Sequence, residues 1–242
     1  MRRRFFVDRF SGTTALLEGD TAHHLAHVLR AQTGQLYELS DGSIAWLARI
    51  ESVARNRIAF TLLEQLPALP PIADVTLLIS IVKFDSFEWG LEKATELGVS
   101  NIIPLAAARS EKNLLFAAGK RSGRWRKILL ESAQQCRRLS VPHLAEPCKP
   151  APAFSAQNER FCVLLSERPD APPIPQVLAA NTAKSKAFAL AFGPEGGWTD
   201  DELASARSSG FHEASLGPHI LRAETAVISA LSIVNFVFSQ LP

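Results

Sequence analysis

GPEGGWTDDEL, residues 193–203, joins an apolar run to an acidic, helix-forming run through three glycines and a proline. Thr199 and Glu202 have the S/T-x-x-E spacing of a capping box, and Asp200 and Asp201 fall in the first turn, where the helix dipole favours negative charge. A strand therefore ends, the chain turns on glycines, and a well-capped helix begins. The same acids would repel a phosphate, which argues against a phosphate-cradling loop. No G-x-G-x-x-G follows the first strand of the region, so a nucleotide-dependent oxidoreductase lacks its fingerprint. Two readings stay open for the turn itself. It is structural punctuation, or it brings bare main chain against a flat ligand at the carboxyl end of a strand, where open α/β sheets place ligands.

A second loop of the same kind lies downstream. SLGPHILRAETAVISAL, residues 215–231, again ends a strand in Leu-Gly-Pro before Arg222, Glu224 and Thr225 open a helix. Two such loops after two separate strands suggest two walls of one pocket. Around them, DVTLLISIV (74–82), NIIPLAAA (101–108), RFCVLLSE (160–167), KAFALAFG (186–193) and FHEASLG (211–217) read as strands. They alternate with helical stretches at 86–98, 124–136 and the long apolar run from 221, while APAFSAQNER and RPDAPPIPQV read as loops. Continuous apolar strands separated by helices predict an α/β domain, a parallel sheet with helices on both faces.

The first 66 residues use a different grammar. Short alternating runs over 35–66, with turns at SDG (40–42) and ARNR (54–57), predict a small β domain. One helix is expected over DTAHHLAHVLRAQTG, capped by Asp20 or Thr21, striped by Leu25, Val28 and Leu29 and ended by Gly34. Pro67, Pro70 and Pro71 break both strand and helix, so a boundary is expected near residue 70.

The bulk numbers exclude several classes. Apolar residues at 47% and charged residues at 21% describe an ordinary globular balance rather than disorder. In MRRRFFVDRF, Asp8 and Arg9 interrupt any apolar core, so no secretory signal is expected, and no run reaches a bilayer span. Three cysteines without a C-x-x-C pair predict neither a disulfide framework nor a thiolate metal site, and suit a reducing cytoplasm. His23 and His27 are four apart, but no acidic or cysteine partner is near in sequence, so no metal is expected. The net charge of +2 conceals an asymmetry: residues 109–138 hold nine Lys/Arg against two Glu, +7, leaving −5 elsewhere. Such a block is the footprint of a polyanionic partner, or a solvated helix face.

Taken together, GPEGGWTDDEL and LGPHILRAETAVISAL resemble the knotted SPOUT methyltransferases. The closest resemblance is to the family that methylates N3 of a uridine in 16S ribosomal RNA of the small subunit. LEKATELGVSNIIPL (91–105), ESAQQCRRLSVPHL (131–144), CVLLSE (162–167) and the opening RRFFV and HHLAHVLR agree in order, so the similarity spans nearly the whole chain. The resemblance implies a PUA-like β-barrel for RNA over residues 1–70 and, over 71–242, an α/β domain whose parallel sheet is threaded into a trefoil knot. It also implies a homodimer with a shared active site, and S-adenosylmethionine held by three loops. Those loops carry over as Leu165, Ser166 and Glu167; Phe192, Gly193, Pro194, Glu195, Gly196 and Gly197; and Leu216, Gly217, Ile220, Leu221 and Arg222.

For catalysis, Arg222 is the candidate for steadying charge on the uracil oxygens. Glu224 is a candidate for orienting Arg222 or taking a proton, or is only a first-turn charge, and Arg138 is a candidate phosphate or base contact. Candidate RNA contacts are Arg2, Arg3, Arg4, Arg30, Arg109, Lys112, Arg121, Arg124, Arg137 and Arg138. One departure stands out. Where the family often has Glu-Gln-(Ser/Cys)-Gly-Arg, this chain has Gln134-Gln135-Cys136-Arg137-Arg138, without the glycine. A non-catalytic RNA-binding module on the same fold, or a methyltransferase of another RNA, would share the basic block.

Overall fold

The computed structural model describes residues 3–68, 71–180 and 186–239; Arg2 lies outside them. By packing, the chain divides into Met1–Pro70 with Leu130–Val141, and Pro71–Leu129 with Pro142–Pro242.

The first unit is built on a six-stranded mixed sheet. Its strands are β1 (Arg4–Phe6), β2 (Phe10–Ser11), β3 (Thr14–Glu18), β4 (Leu36–Ser40), β5 (Ala45–Ala54) and β6 (Arg57–Leu66), in the order β1-β4-β5-β6-β3-β2. Only β1 and β4 run parallel. Period-two patterning sends Ile58, Phe60 and Leu62 of β6 into a core with Phe5, Leu17, Leu39 and Ile50. Both expected hairpins form: the Asp41 carboxylate accepts the N–H groups of Ser43 and Ile44 at 2.9 Å each, and Arg55–Asn56 joins β5 to β6.

The expected helix differs in detail. Helix α1 (Gly19–His23) starts straight from β3, with Glu18 in the cap position and no side-chain cap from Asp20 or Thr21. It then widens into a π turn over His24–Val28. The wider turn rotates the succeeding residues off the buried face, so Leu25 is buried while Val28 is 63% exposed and Leu29 also faces solvent.

Residues 130–141 pack in this unit around Glu38. The Glu38 carboxylate accepts from Arg4 at 2.9 and 3.1 Å and from Arg137 at 3.3 Å, and the Ser40 hydroxyl donates to the Leu139 carbonyl at 2.6 Å. Arg137 has φ +58°, the left-handed region, at the position where the resembled family carries glycine. A side chain there costs about 1–2 kcal/mol, which the Glu38 contact partly offsets.

The second unit carries β7 (Asp74–Ser80), α2 (Phe84–Glu96), β8 (Asn101–Leu105), α3 (Lys112–Ala118), the start of α4 (Ser122–Gln135), whose residues from Leu130 on belong to the first unit, β9 (His143–Leu144) and α5 (Pro150–Ser155). It continues through β10 (Phe161–Leu165), α6 (Ile174–Ala179), β11 (Ala187–Phe192), α7 (Asp200–Ser208), β12 (His212–Ala214) and α8 (Ala223–Ser239). The sheet is wholly parallel, ordered β12-β10-β11-β7-β8-β9. Helices cover both faces because alternate residues of β11 point opposite ways. Phe188 meets Phe238 of α8 at 4.7 Å between ring centroids, whereas Ala189 and Ala191 share a core with Phe154 of α5 and Leu203 of α7.

Two stretches expected as loops are short helices, α5 and α6. Each starts on a proline at its first or second position, where the missing N–H costs nothing, and each buries apolar side chains, Phe154 in α5 and Ile174 in α6. No helix among the described residues is long and apolar enough to cross a membrane.

Candidate active site

Strand order places the site. β11 and β12 flank β10 on opposite sides, so the loops leaving the carboxyl ends of these three strands diverge and leave a crevice, the usual ligand position of an open parallel sheet. The crevice encloses about 850 Å³, the size range of nucleoside-like ligands. It is lined by Leu165–Pro169 after β10, Phe192–Trp198 after β11 and Leu216–Ala223 with Ala226 after β12, together with Lys83, Ser86, Arg109 and Leu203; Pro218 is outside the lining.

The glycine turn is held from behind by two side chains. The Trp198 indole N–H donates to the Leu165 carbonyl at 3.0 Å, tying the turn to the end of β10. The Arg109 guanidinium donates to the Gly196 and Trp198 carbonyls at 2.9 and 3.1 Å. These contacts explain two of the glycines. A Cβ on Gly193 would lie 3.1 Å from the Trp198 ring, and one on Gly196 would lie 3.2 Å from the Arg109 Cβ. Here the bare main chain accommodates the protein's own braces.

The capping box is complete. The Thr199 hydroxyl accepts the Glu202 N–H at 3.3 Å, and the Glu202 carboxylate accepts the Thr199 N–H at 2.9 Å. The other Glu202 oxygen accepts the Ala108 N–H at 2.8 Å, so one carboxylate joins the start of α7 to the segment carrying Arg109. Thr199→Ala removes the cap and is expected to lower stability by about 1 kcal/mol. A fall in urea midpoint at unchanged slope would show it, and a wild-type midpoint would contradict it.

All fourteen residues expected in the three cofactor loops line this crevice, Arg222 among them. Glu224 sits in the first turn of α8, 3% exposed, and is not among the lining residues. Arg138 belongs to the first unit, where burial pushes its guanidinium pKa down. Several expected RNA contacts have internal partners. Arg4 and Arg137 share Glu38, and Arg109 braces the glycine turn. Arg121 and Arg124 both bind the buried Glu88, with Arg121 also 4.2 Å above the Phe84 ring. Arg3, Arg30 and Lys112 are exposed.

Lys83, Ser86, Arg168, Trp198 and His219 line the crevice without having been singled out from the sequence. Lys83 had a legible signal, since it directly follows the first apolar strand and so sits at a carboxyl end. Trp198 had none, because its role depends on a carbonyl 33 residues away. The His23 and His27 rings meet at 4.4 Å, but no group of three metal-ligating side chains occurs among the described residues. Burial pushes the Cys162 thiol up to about 11, which keeps it protonated and inert at neutral pH.

The class is that of the RNA methyltransferases, which two family models define. The RNA methyltransferase domain family matches residues 69–235, and the RNA methyltransferase PUA domain matches residues 17–63. Among similar proteins, the ribosomal RNA small subunit methyltransferase E of Synechocystis is 34% identical, over 92% of this chain and 73% of its own. That of Bacillus subtilis is 30% identical, over 92% and 90%. The crystal structure of the corresponding enzyme of Neisseria gonorrhoeae, bound to S-adenosyl methionine, superimposes with a TM-score of 0.86 at 28% identity, covering 98% of both chains. The chain belongs to the ribosomal RNA small subunit methyltransferase E family.

Proposed function

We propose that the chain transfers the methyl group of S-adenosylmethionine to N3 of a uridine in the 16S ribosomal RNA of the small subunit. The observation that carries this reading is the convergence of three loops, after β10, β11 and β12, on one crevice. The lining suits the cofactor. Leu165, Leu216, Ile220 and Leu221 offer an apolar slot for the adenine, and main-chain groups of the same loops can read the ring edge. S-adenosylmethionine supplies an electrophilic methyl on a sulfonium centre, so no metal is required.

The protein's own contribution is placement and charge. The braced turn at 193–198 fixes one wall, and Arg222 presents a guanidinium for the negative charge that builds on the uracil oxygens as N3 loses its proton. Glu224, buried in the first turn of α8 two residues beyond Arg222, stands outside the crevice lining as a first-turn charge of that helix, and Arg138 contacts RNA. The N-terminal PUA-type unit binds the RNA, with Arg3 and Arg30 on its surface. The protein acts in the cytoplasm as a homodimer, for which Phe236 of α8, 66% exposed, offers apolar contact surface. The loops are knotted as a trefoil.

Small-subunit particles incubated with the protein and methyl-labelled cofactor, followed by mapping of the modified base, test this reading. One labelled uridine carrying the methyl on N3 is expected. Label on another base, or in another RNA only, would contradict it.

A further inference from the structure

Methylation at N3 requires the uracil imide to lose a proton, and the crevice narrows the choice of acceptor. Among its charged lining residues, Arg109 is committed to two carbonyls of the glycine turn, and Arg168 to Asp170 and Glu213. That leaves Lys83 after β7, Glu167 after β10, Glu195 after β11, and His219 and Arg222 after β12. Ammonium and guanidinium groups ordinarily carry their protons at neutral pH and have no lone pair to offer. A carboxylate is a weak base for a weakly acidic imide, whereas a neutral imidazole offers a ring lone pair and is the commonest side-chain general base.

His219 is the one imidazole among the described lining residues, and it is exposed. Among the described residues its ring has no hydrogen-bonding partner, so a ring nitrogen is available as an acceptor. Its loop is anchored just upstream, where the Ser215 hydroxyl accepts the Gly217 N–H at 3.1 Å, and Pro218 fixes the backbone immediately before it.

We propose that His219 takes the N3 proton during methyl transfer, an assignment that rests on the crevice being the methyl-transfer site. The N3–H bond breaks with its electron pair left on N3, and that pair forms the new N3–CH3 bond. The S–CH3 bond breaks with its pair going to sulfur, and the proton goes to a ring nitrogen of His219. One positive charge is lost from sulfur and one appears on the imidazole, so the net charge of the crevice does not change. The proton then leaves to water, which reaches the exposed ring.

His219→Gln keeps a polar side chain of similar reach but cannot titrate. With small-subunit particles in excess, its kcat is expected to fall by about 10²-fold or more. The wild-type rate should also decline toward acid as the imidazole is protonated, and that acidic limb should vanish in the variant. Calorimetry with S-adenosylhomocysteine supplies a readout independent of turnover, and affinities within about threefold of each other are expected. A variant with wild-type kcat and an unchanged acidic limb overturns the assignment, as does a collapse of cofactor affinity, which would make His219 a binding residue. A wild-type protein that transfers no methyl at all overturns the methyl-transfer reading, and this inference with it.

Discussion

Arg222→Ala is expected to cut methyl transfer by about 10²–10³-fold while leaving the fold intact. Arg222 lies on the crevice wall, is solvent-exposed, and among the described residues its guanidinium makes no ion pair or hydrogen bond. No described residue pairs with the charge, so truncation should shift stability by no more than about 0.5 kcal/mol. The loss should appear in kcat with little change in cofactor affinity, because charge on the uracil oxygens develops only as the imide proton leaves. Single-turnover transfer to small-subunit particles, beside a urea unfolding curve, separates the two effects. Undiminished transfer would remove Arg222 from the chemistry.

Trp198→Ala is expected to have the largest effect on stability, about 3–5 kcal/mol. The side chain is 8% exposed, stands edge-on to Phe154 at 5.8 Å between centroids, and spans from the glycine turn to the Leu165 carbonyl. Its removal opens a cavity beside Leu203 and Phe211 and releases one wall of the crevice from β10. Cofactor affinity should fall with stability. Trp198→Phe, which keeps most of the volume but loses the N–H, should cost less, about 1–3 kcal/mol for the unsatisfied carbonyl and the residual void. Wild-type unfolding midpoints for the alanine variant would show that the turn holds its shape without the indole.

Much of this architecture is legible in the sequence because its causes are local. Residues 75–79 are mostly apolar, and 74–80 become a central strand of the parallel sheet buried at nearly every position, while 58, 60 and 62 alternate and become a one-faced strand. Thr199 and Glu202 announce the start of α7 three residues apart, and the two hairpins are written in their own turns. Expectation fails where packing outweighs local preference. Pro152 and Pro173 lie in stretches that read as loops, yet Phe154 and Ile174 draw those stretches into helices. Val28 and Leu29 fit a helical stripe, but a π turn carries them into solvent.

For the crevice, the two glycine–proline loops could be read as paired walls, whereas their braces could not. Arg109 read as an RNA contact because it opens a basic block; its engagement with the Gly196 carbonyl spans 87 residues and leaves no local trace. Glu88 likewise shows nothing in sequence of the two arginines that it holds. The missing family glycine is the reverse case. It is a local departure met by a distant partner, since Arg137 takes the left-handed conformation while reaching Glu38, 99 residues away.

Titration of S-adenosylmethionine into the protein, followed by calorimetry, tests the central claim most directly, because every role given to the loops assumes that they close around this cofactor. Saturable heat corresponding to one site per chain, lost or strongly weakened in Trp198→Ala, is the predicted result. No heat of binding with the cofactor at millimolar concentration would contradict the account and leave an RNA-binding protein without a methyl donor.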